Sequence, residues 1–180
     1  QQKIFLLIGP KRSGKGTVAR VMRQLLGEQN VAGPTLSDLQ RDFGLQPLLD
    51  KPAAIISDAR LNSRGDQTAV VERLLTISGE DAITVNRKHR EQVTTQLPTR
   101  LLLLTNEIPR LADASGALAG RFLILTMQRS FYGQEDTQLS QKLTQELSGI
   151  LLWALDGLDR LRTRGYFRQP VSSDIRNCTP

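Results

Sequence analysis

Four short apolar runs mark the chain: Ile4–Ile8, Ala53–Ser57, Leu101–Thr105 and Phe122–Met127. None of these runs alternates polar with apolar positions. A continuous apolar run of this length is typical of a strand in a parallel sheet whose two faces are both covered by helices. We therefore predict a buried parallel sheet built from these segments.

The stretches between the runs show helical spacing. In the first stretch, apolar residues recur every three or four positions up to a plausible stop at Gly27; they are Val18, Val21, Met22, Leu25 and Leu26. A second helix is predicted over Gln67–Ile77, with Gly79 near its end. Strands that alternate with helices in this way predict an α/β doubly wound fold.

A longer apolar stripe occupies the last part of the chain. Its members are Leu139, Leu143, Leu147, Leu151, Leu155, Leu158 and Leu161. We expect this stripe to be ordinary core packing on a helical segment, broken at Gly149.

Composition narrows the classes of function. The chain has 180 residues, which is room for one domain, and its 24 Lys and Arg outnumber 18 Asp and Glu for a net charge of +6. The basic excess favours a polyanionic partner such as nucleic acid or nucleotide phosphate. Cys178 is the only cysteine and His89 the only histidine. A disulfide framework and a zinc site of cysteines or histidines are therefore excluded.

The sequence also carries expectations about where the protein works. No apolar run is long enough to cross a bilayer, and no signal peptide opens the chain. We expect a reducing, cytosol-like compartment and no membrane partner. The chain lacks an initiating Met and enters a strand almost at once, so we interpret it as a domain cut from a longer protein.

The strongest motif follows the first apolar run and opens the first helix. Its G-x-x-x-x-G-K spacing lets backbone N–H groups curl around phosphates, while the helix N-terminus adds the positive end of its dipole. Lys15 is expected to reach the β- and γ-phosphates of a nucleotide. The nine residues of this phosphate loop are Gly9, Pro10, Lys11, Arg12, Ser13, Gly14, Lys15, Gly16 and Thr17.

The loop departs from the usual pattern at one position. The Ser or Thr that commonly follows the lysine is replaced by Gly16, and the hydroxyl comes one residue later, at Thr17. Thr17 therefore either contacts Mg²⁺ through water or binds phosphate instead of metal. Nucleoside monophosphate kinases also spell this loop G-K-G-T, so the loop by itself leaves the reaction open.

Two polar residues follow the next buried strands. Asp58 is placed as the Mg²⁺-holding aspartate of a P-loop ATPase, with a turn cap as the alternative. Asn106 can hydrogen-bond the γ-phosphate or the attacking water, with turn chemistry as the alternative. Asp58 has no adjacent acid, so either the second acid comes from elsewhere or hydrolysis is weak; the candidates are Glu72, Glu80 and Glu107.

Five segments in order resemble the ATPase domain of superfamily 3 helicases. They are residues 9–17, 55–61, 77–85, 104–110 and 115–122. The resemblance is specifically to the helicase half of phage and plasmid primase–helicase proteins, and it spans about Phe5 to Phe167. It implies an AAA+-like P-loop NTPase that works on ATP and Mg²⁺ as a hexameric ring.

The resemblance also implies roles for two residues. Asn106 would be the phosphate sensor. Arg121 would be the finger that reaches the ATP of the neighbouring subunit, since a guanidinium stays charged and grips phosphate at two points. Where the family often has two arginines in a row, Gly120 replaces the first. Arg110 and Arg129 are fallback fingers, and a surface salt bridge is the alternative role of Arg121.

A basic hairpin is predicted over residues 82–95, because two β-prone arms flank a polar tip. The tip residues are Arg87, Lys88, His89 and Arg90. In the resembled family this hairpin projects into the central channel and tracks the DNA backbone, where cations neutralise phosphates without reading sequence. The alternative is a solvated turn. A second basic stretch contains Arg160, Arg162, Arg164 and Arg168 and contacts DNA or a neighbouring subunit, or is a solvated helix end.

We interpret the chain as an ATP-dependent DNA helicase motor domain of a phage or mobile-element replication protein in the cytoplasm of a bacterial host. The expected partners are single- or double-stranded DNA, further copies of the chain and a primase domain in the same full-length chain. The domain is placed at residues 1–168, helical from about residue 136, with a tail over 169–180. Two alternatives stay open: a small nucleotide kinase, suggested by the stretch 156–160, and a DNA-binding assembly module that hydrolyses ATP poorly.

Overall fold

The computed structural model describes residues 2–59, 67–109 and 116–170. Within these ranges the helices and strands follow the predicted alternation. The order is β1 Ile4–Ile8, α1 Lys15–Leu26, β2 Val31–Ala32, β3 Ala53–Ile56, α2 Gln67–Gly79, β4 Ala82–Arg87, β5 Arg90–Gln96, β6 Arg100–Thr105, β7 Phe122–Thr126, α3 Leu139–Gln145 and α4 Leu147–Arg164. Short 3₁₀ turns occupy Glu28–Asn30, Gln46–Leu48 and Ala119–Arg121.

Five strands form one parallel sheet in the order β2-β3-β6-β1-β7. The α/β fold of a P-loop NTPase is thereby confirmed, with β1 in the interior of the sheet between β6 and β7. Because the strands are parallel, their carboxyl ends share one border, which we call the upper edge. Their amino ends form the lower edge. Side chains that follow β1, β3 and β6 are therefore brought to the same side of the molecule.

Side chains alternate between the two faces of the sheet, and each face has its own helical cover. On one face Ile4 and Leu6 pack in a cluster with Leu74 and Ile77 of α2. On the other face Leu7 packs in a cluster with Ala19 of α1. The double cover explains why the strands read as continuous apolar runs.

The strand predictions are confirmed to within one residue at each end. β1 has the predicted bounds, β3 and β7 each end one residue earlier, and β6 begins one residue earlier. The short edge strand β2 was not predicted, because two residues offer too little pattern. Helix α2 runs two residues beyond its predicted end, to Gly79.

The expectation for the late apolar stripe is wrong. No residue of α4 is buried, and Leu151 and Leu155 of the stripe are each 46% exposed. The predicted break at Gly149 is also wrong, since Gly149 lies inside α4 and the break between α3 and α4 falls at Glu146. Helical spacing identified an apolar stripe, but α4 touches the rest of the domain too lightly to cover it.

The basic segment between α2 and β6 is the predicted hairpin. β4 and β5 pair antiparallel as a separate two-stranded sheet. Ile83 and Val85 are buried against the main core, which holds one face of the hairpin to the domain. The turn is made by Lys88 and His89, and His89 takes the left-handed conformation with φ 58°.

Two further observations concern the ends of the fold. The ring of Phe167 packs edge-on against Phe5 with centroids 5.5 Å apart, which ties the segment after α4 to the sheet. Residues 171–180 of the predicted tail lie outside the described residues, as does Arg110.

Among the helices that the structure describes, none combines the length and hydropathy of a membrane span.

Candidate functional site

The loop between β1 and α1 has the shape of a phosphate cradle. Arg12 and Gly14 both have positive φ, at 60° and 96°. Alternation of right- and left-handed residues turns successive N–H groups toward one centre, which makes an anion-binding concavity. Gly14 is also the N-cap of α1 and offers no side-chain cap, so N–H groups at the start of the helix would face an anion bound at the upper edge.

Gly9 is required by close packing rather than by its φ angle. A Cβ atom built there would lie 2.7 Å from the carbonyl oxygen of Met127 and 2.8 Å from Oγ of Ser13. The first glycine of the motif therefore lets the loop pass against the segment that follows β7. Gly16 is different, because its nearest neighbour for a Cβ is Nη1 of Arg20 at 3.6 Å, an ordinary contact.

Lys15 lies inside the cradle. Its Nζ donates to the carbonyl oxygens of Gly9 and Pro10 at 2.6 and 2.8 Å and to Oγ of Ser13 at 3.2 Å. Partial burial disfavours the charged form and lowers the pKa of Lys15. The ammonium is thus held by weak neutral acceptors, at a place where phosphate oxygens would be stronger partners.

A segment that sequence reasoning missed braces the loop from the side. The N–H of Met127 donates to Ile8 O at 2.7 Å, and the hydroxyl of Ser130 donates to Lys11 O at 2.8 Å. Arg12 pairs with Glu135 at 3.4 Å. The only signal in the sequence is that this segment continues β7, the strand beside β1.

Asp58 and Asn106 arrive at the same upper edge. The N–H of Ala59 donates to Leu104 O at 2.9 Å, and the N–H of Gly9 donates to Thr105 O at 3.2 Å. Asp58 and Asn106 are both exposed there. Since β6 lies between β1 and β3, the strands that lead to the loop, Asn106 and Asp58 are adjacent in the sheet, at steps of about 4.8 Å.

The donors at this edge suit Mg²⁺. Thr17 offers a hydroxyl and Asp58 a carboxylate, which are the hard oxygen ligands that Mg²⁺ prefers. Oγ1 of Thr17 accepts from Nη2 of Arg20 at 3.1 Å, so this hydroxyl is oriented by its own helix. The described residues contain no cluster of three metal-ligating side chains, and phosphate and water oxygens would complete such a site.

One candidate for the second acid is in the wrong place. Glu80 follows α2 at the lower edge, where its carboxylate accepts from Nη1 of Arg100 at 2.6 Å. It is too far from the loop to orient water there. Glu107 follows β6 at the upper edge, and Glu72 lies in the middle of α2. Of the three, only Glu107 follows a strand at the edge that carries the phosphate loop.

Arg121 also lies at the lower edge. It precedes β7, whose first residue, Phe122, pairs with Ile4 at the start of β1. The phosphate loop begins after Ile8, at the other end of that strand and about 13 Å away at roughly 3.3 Å per residue. The structure therefore separates Arg121 from the loop of its own chain. Arg129 instead follows β7 at the upper edge, with its guanidinium 4.8 Å from the ring centroid of Phe131.

The hairpin tip presents three exposed basic side chains, Lys88, His89 and Arg90. Arg87 is half-buried, and its Nε donates to Glu91 O at 2.8 Å, which stiffens the turn. The N–H of Lys88 donates to Oε1 of Gln46 at 2.9 Å, so the tip is held by the turn Gln46–Leu48.

An exposed aromatic residue adjoins this contact, and sequence reasoning missed it. Phe43 is 49% exposed, and its carbonyl accepts from the N–H of Gln46 at 3.1 Å. It therefore lies within one turn of the residue that holds the hairpin tip. Basic groups beside an exposed ring are the combination used to bind single-stranded nucleic acid.

Of the late arginines, Arg160, Arg162 and Arg164 lie near the end of α4, and Arg168 follows the helix. Arg162 pairs with Asp159 at 3.6 Å, and the guanidinium of Arg164 lies 5.7 Å from the ring centroid of Tyr166. Cations in the last turn of a helix are favoured by its dipole. The stretch 156–160, which suggested a nucleotide kinase because it resembles a kinase lid sequence, lies within the continuous helix α4.

The family of the chain follows from a match to residues 7–121, which include the loop, both strand ends and the hairpin. The chain belongs to the family of unknown function DUF5906. The matched range ends at Arg121 and leaves α3 and α4 outside it. The family description names no activity, so the chemistry is argued from the site.

Solved structures share the fold. The apo structure of the NrS-1 C terminal region (305-718) matches with a TM-score of 0.67 and 20% identity over 83% of this chain and 36% of that one. A structure of JCV helicase with a bound small molecule matches with a TM-score of 0.56 and 20% identity over 81% of this chain and 41% of that one. The chain thus spans well under half the length of these proteins, and at these identities the likeness shows the fold.

Proposed function

We propose that the chain is the ATPase motor domain of a DNA helicase or translocase. The observation that carries this proposal is the upper edge of the sheet, where the phosphate loop, Asn106 and Asp58 meet in strand order. The fold shared with JCV helicase supports it. The predicted origin in a phage or mobile element, the bacterial cytoplasm and a primase domain in the same chain remain predictions of the resemblance.

Each residue of the upper edge has a role in this proposal. Loop N–H groups and Lys15 would bind the β- and γ-phosphates, with the Lys15 ammonium exchanging its carbonyl partners for phosphate oxygens. Thr17 and Asp58 would hold Mg²⁺, which when bound neutralises charge on the phosphates. Asn106 would hold the γ-phosphate or orient water. Among the three candidate acids, Glu107 is the one best placed to orient the attacking water.

The proposal needs more than one subunit. Arg121 lies at the lower edge, so the guanidinium can serve only a nucleotide bound to another copy. A finger supplied in this way stabilises charge that develops on the γ-phosphate, and its loss costs about a thousandfold or more in turnover. A closed ring gives every site such a neighbour, which is why we propose a homo-oligomeric ring.

The DNA-binding surface would be the hairpin tip. Lys88, His89 and Arg90 are exposed together, and Phe43 lies beside the turn that holds them. The cations would contact phosphates without reading sequence, and the ring of Phe43 would stack on a base of a single strand.

Steady-state ATP hydrolysis, measured with and without single-stranded DNA, tests the proposal. We expect Mg²⁺-dependent turnover that DNA stimulates and that Lys15→Ala removes. Absence of DNA-dependent turnover at every protein concentration would contradict the motor. Phosphate transfer to a nucleoside monophosphate without DNA would favour a kinase, although the stretch 156–160 forms no lid.

A second candidate is an assembly module that binds ATP and DNA but hydrolyses poorly. Two features favour it: Asp58 has no adjacent acid, and Gly16 replaces the usual hydroxyl residue after Lys15. ATP binding and ATP-dependent DNA binding with turnover no higher than that of Lys15→Ala would support the module. Replacement of Glu107 by Gln separates the two cases, because only the motor would lose turnover.

A further inference from the structure

The guanidinium of Arg121 is anchored in its own subunit through a single nitrogen. Nη1 donates to the carbonyl oxygen of Leu75 at 2.7 Å and to Oγ of Ser78 at 2.9 Å. Among the described residues, Nη2 and Nε of Arg121 have no hydrogen-bond partner. One nitrogen is thus fixed to the end of α2, and no group in the described part of the chain holds the other two.

Ser78 is built to accept this bond. Its side chain is 4% exposed, and its Oγ donates to Leu74 O at 2.6 Å inside the helix. The hydroxyl hydrogen is therefore committed, and the oxygen presents its lone pairs to Arg121. A cation at the last turn of α2 also meets the negative end of the helix dipole.

The anchor lies at the base of the hairpin. Helix α2 ends in a Schellman motif, in which the N–H of Asp81 donates to Thr76 O at 3.1 Å and that of Glu80 to Ile77 O at 3.2 Å. Glu80 has φ 62°, and β4 begins two residues later at Ala82. A displacement of the last turn of α2 is therefore passed directly to β4.

We propose that Ser78 is a positioning residue, which holds Arg121 ready for the phosphate of a neighbouring subunit and links that phosphate to the hairpin. This inference rests on the proposed function, since Arg121 must act on a nucleotide in another copy. An arginine side chain loses much rotamer freedom when it binds, and an anchor at Nη1 removes part of that loss in advance. Because the same anchor joins Arg121 to the last turn of α2, a movement of Arg121 on binding phosphate would also move the base of the hairpin.

The test compares Ser78→Ala with Thr76→Ala in the full-length protein. Thr76 is the matched control, because its hydroxyl donates to Glu72 O at 2.8 Å in the same helix without touching Arg121. We expect Ser78→Ala to lower kcat for ATP about tenfold at nearly constant KM, because the phosphate loop is intact. Stimulation by DNA should fall with it, while Thr76→Ala keeps both.

Mixed assemblies separate a positioning role from a folding defect. A Lys15→Ala subunit has an inactive phosphate loop but an anchored Arg121. A Ser78→Ala subunit has an intact phosphate loop but an Arg121 that has lost its anchor. We expect turnover to rise above that of either variant when the two are mixed, as it should for Arg121→Ala mixed with Lys15→Ala. A Ser78→Ala protein with wild-type kcat and DNA stimulation would overturn the inference, as would a loss of kcat that mixing does not restore.

The two proposals fail in different ways. Wild-type turnover of Arg121→Ala would refute the role of Arg121 in a neighbour's site, and the inference about Ser78 would fall with it. Loss of turnover in Arg121→Ala, restored by mixing, together with an unaffected Ser78→Ala, would leave the proposed function standing and refute only the positioning role.

Discussion

The ammonium of Lys15 donates to the carbonyl oxygen of Gly9 at 2.6 Å, so the last part of the phosphate loop folds back on its first residue. This bond closes the cradle around the place where phosphate oxygens would lie. In this position the side chain of Lys15 is half-buried, and the burial lowers its pKa.

Replacement of Lys15 by Ala should abolish nucleotide turnover. The loss of even one positioned hydrogen-bond donor to charge that develops in the transition state typically costs about 10²–10³-fold in kcat. Lys11→Ala is the matched control, because Lys11 is an exposed lysine of the same loop and contributes its backbone carbonyl to Ser130. Equal turnover of the two variants in an ATPase assay would show that Lys15 does not bind phosphate.

Replacement of Gly9 by Ala should destabilise the domain by about 1–3 kcal/mol, because the new Cβ would overlap backbone at Met127. Gly16→Ala is the control at the other end of the loop. Its contact with Arg20 at 3.6 Å is ordinary, and alanine in the first turn of α1 should stabilise the helix by up to about 1 kcal/mol. Urea unfolding curves measure both effects, and a Gly9→Ala protein as stable as the wild type would contradict the packing argument.

Local pattern was enough to predict four of the five strands of the main sheet, because β1, β3 and β6 are largely buried on both faces and therefore read as apolar runs. The hairpin was predicted from a different signal, two β-prone arms around a polar tip. Local pattern was also enough to predict that Asp58 and Asn106 directly follow buried strands, and the parallel sheet brings those strand ends to the edge that carries the loop. The alternation of strands and helices implies that the strands are parallel, whereas their order in the sheet comes from the structure.

Contacts between distant segments could not be predicted in this way. The bond from Arg121 to Ser78 joins residues 43 positions apart, and that from Lys88 to Gln46 joins residues 42 apart. Neither pair has a periodic signature. The late apolar stripe failed for a related reason, because helical spacing shows that a face is apolar but not what packs against it.

Trp153 tests the exposure of α4, the helix that carries most of that stripe. The side chain is 70% exposed, so Trp153→Ser should change the free energy of unfolding by less than about 0.5 kcal/mol. Leu74→Ala is the contrast, since Leu74 is fully buried and its truncation should cost about 2–5 kcal/mol. Trp153 is the only tryptophan, so acrylamide quenching of the wild-type fluorescence reads its exposure directly. A quenching-resistant signal from the monomer would contradict the placement.

Lys88 tests the proposed DNA-binding surface at the hairpin tip. Lys88→Ala should weaken binding to single-stranded DNA of any sequence, and the slope of log affinity against log salt should become shallower by about 1. Lys142→Ala removes the same charge elsewhere, at a lysine that pairs with Asp136 at 2.7 Å, and should leave that slope unchanged. Fluorescence anisotropy across a salt series measures both, and parallel slopes for Lys88→Ala and the wild type would exclude a phosphate contact at the tip.

The ion pair between Glu80 and Arg100, at the base of the hairpin, should make the stability of the domain depend on pH. The hydrogen bond from Arg100 lowers the pKa of Glu80 below its ordinary value, so the folded state favours the charged carboxylate. The stabilisation is present above the unfolded pKa of about 4.3 and is lost as the pH falls through the folded value. Glu80→Gln cannot titrate, so the free energy of unfolding of the wild type should fall more between pH 7 and pH 3 than that of the variant. Urea curves at the two pH values measure this difference, and identical losses in both proteins would show that the Arg100–Glu80 contact adds nothing in solution.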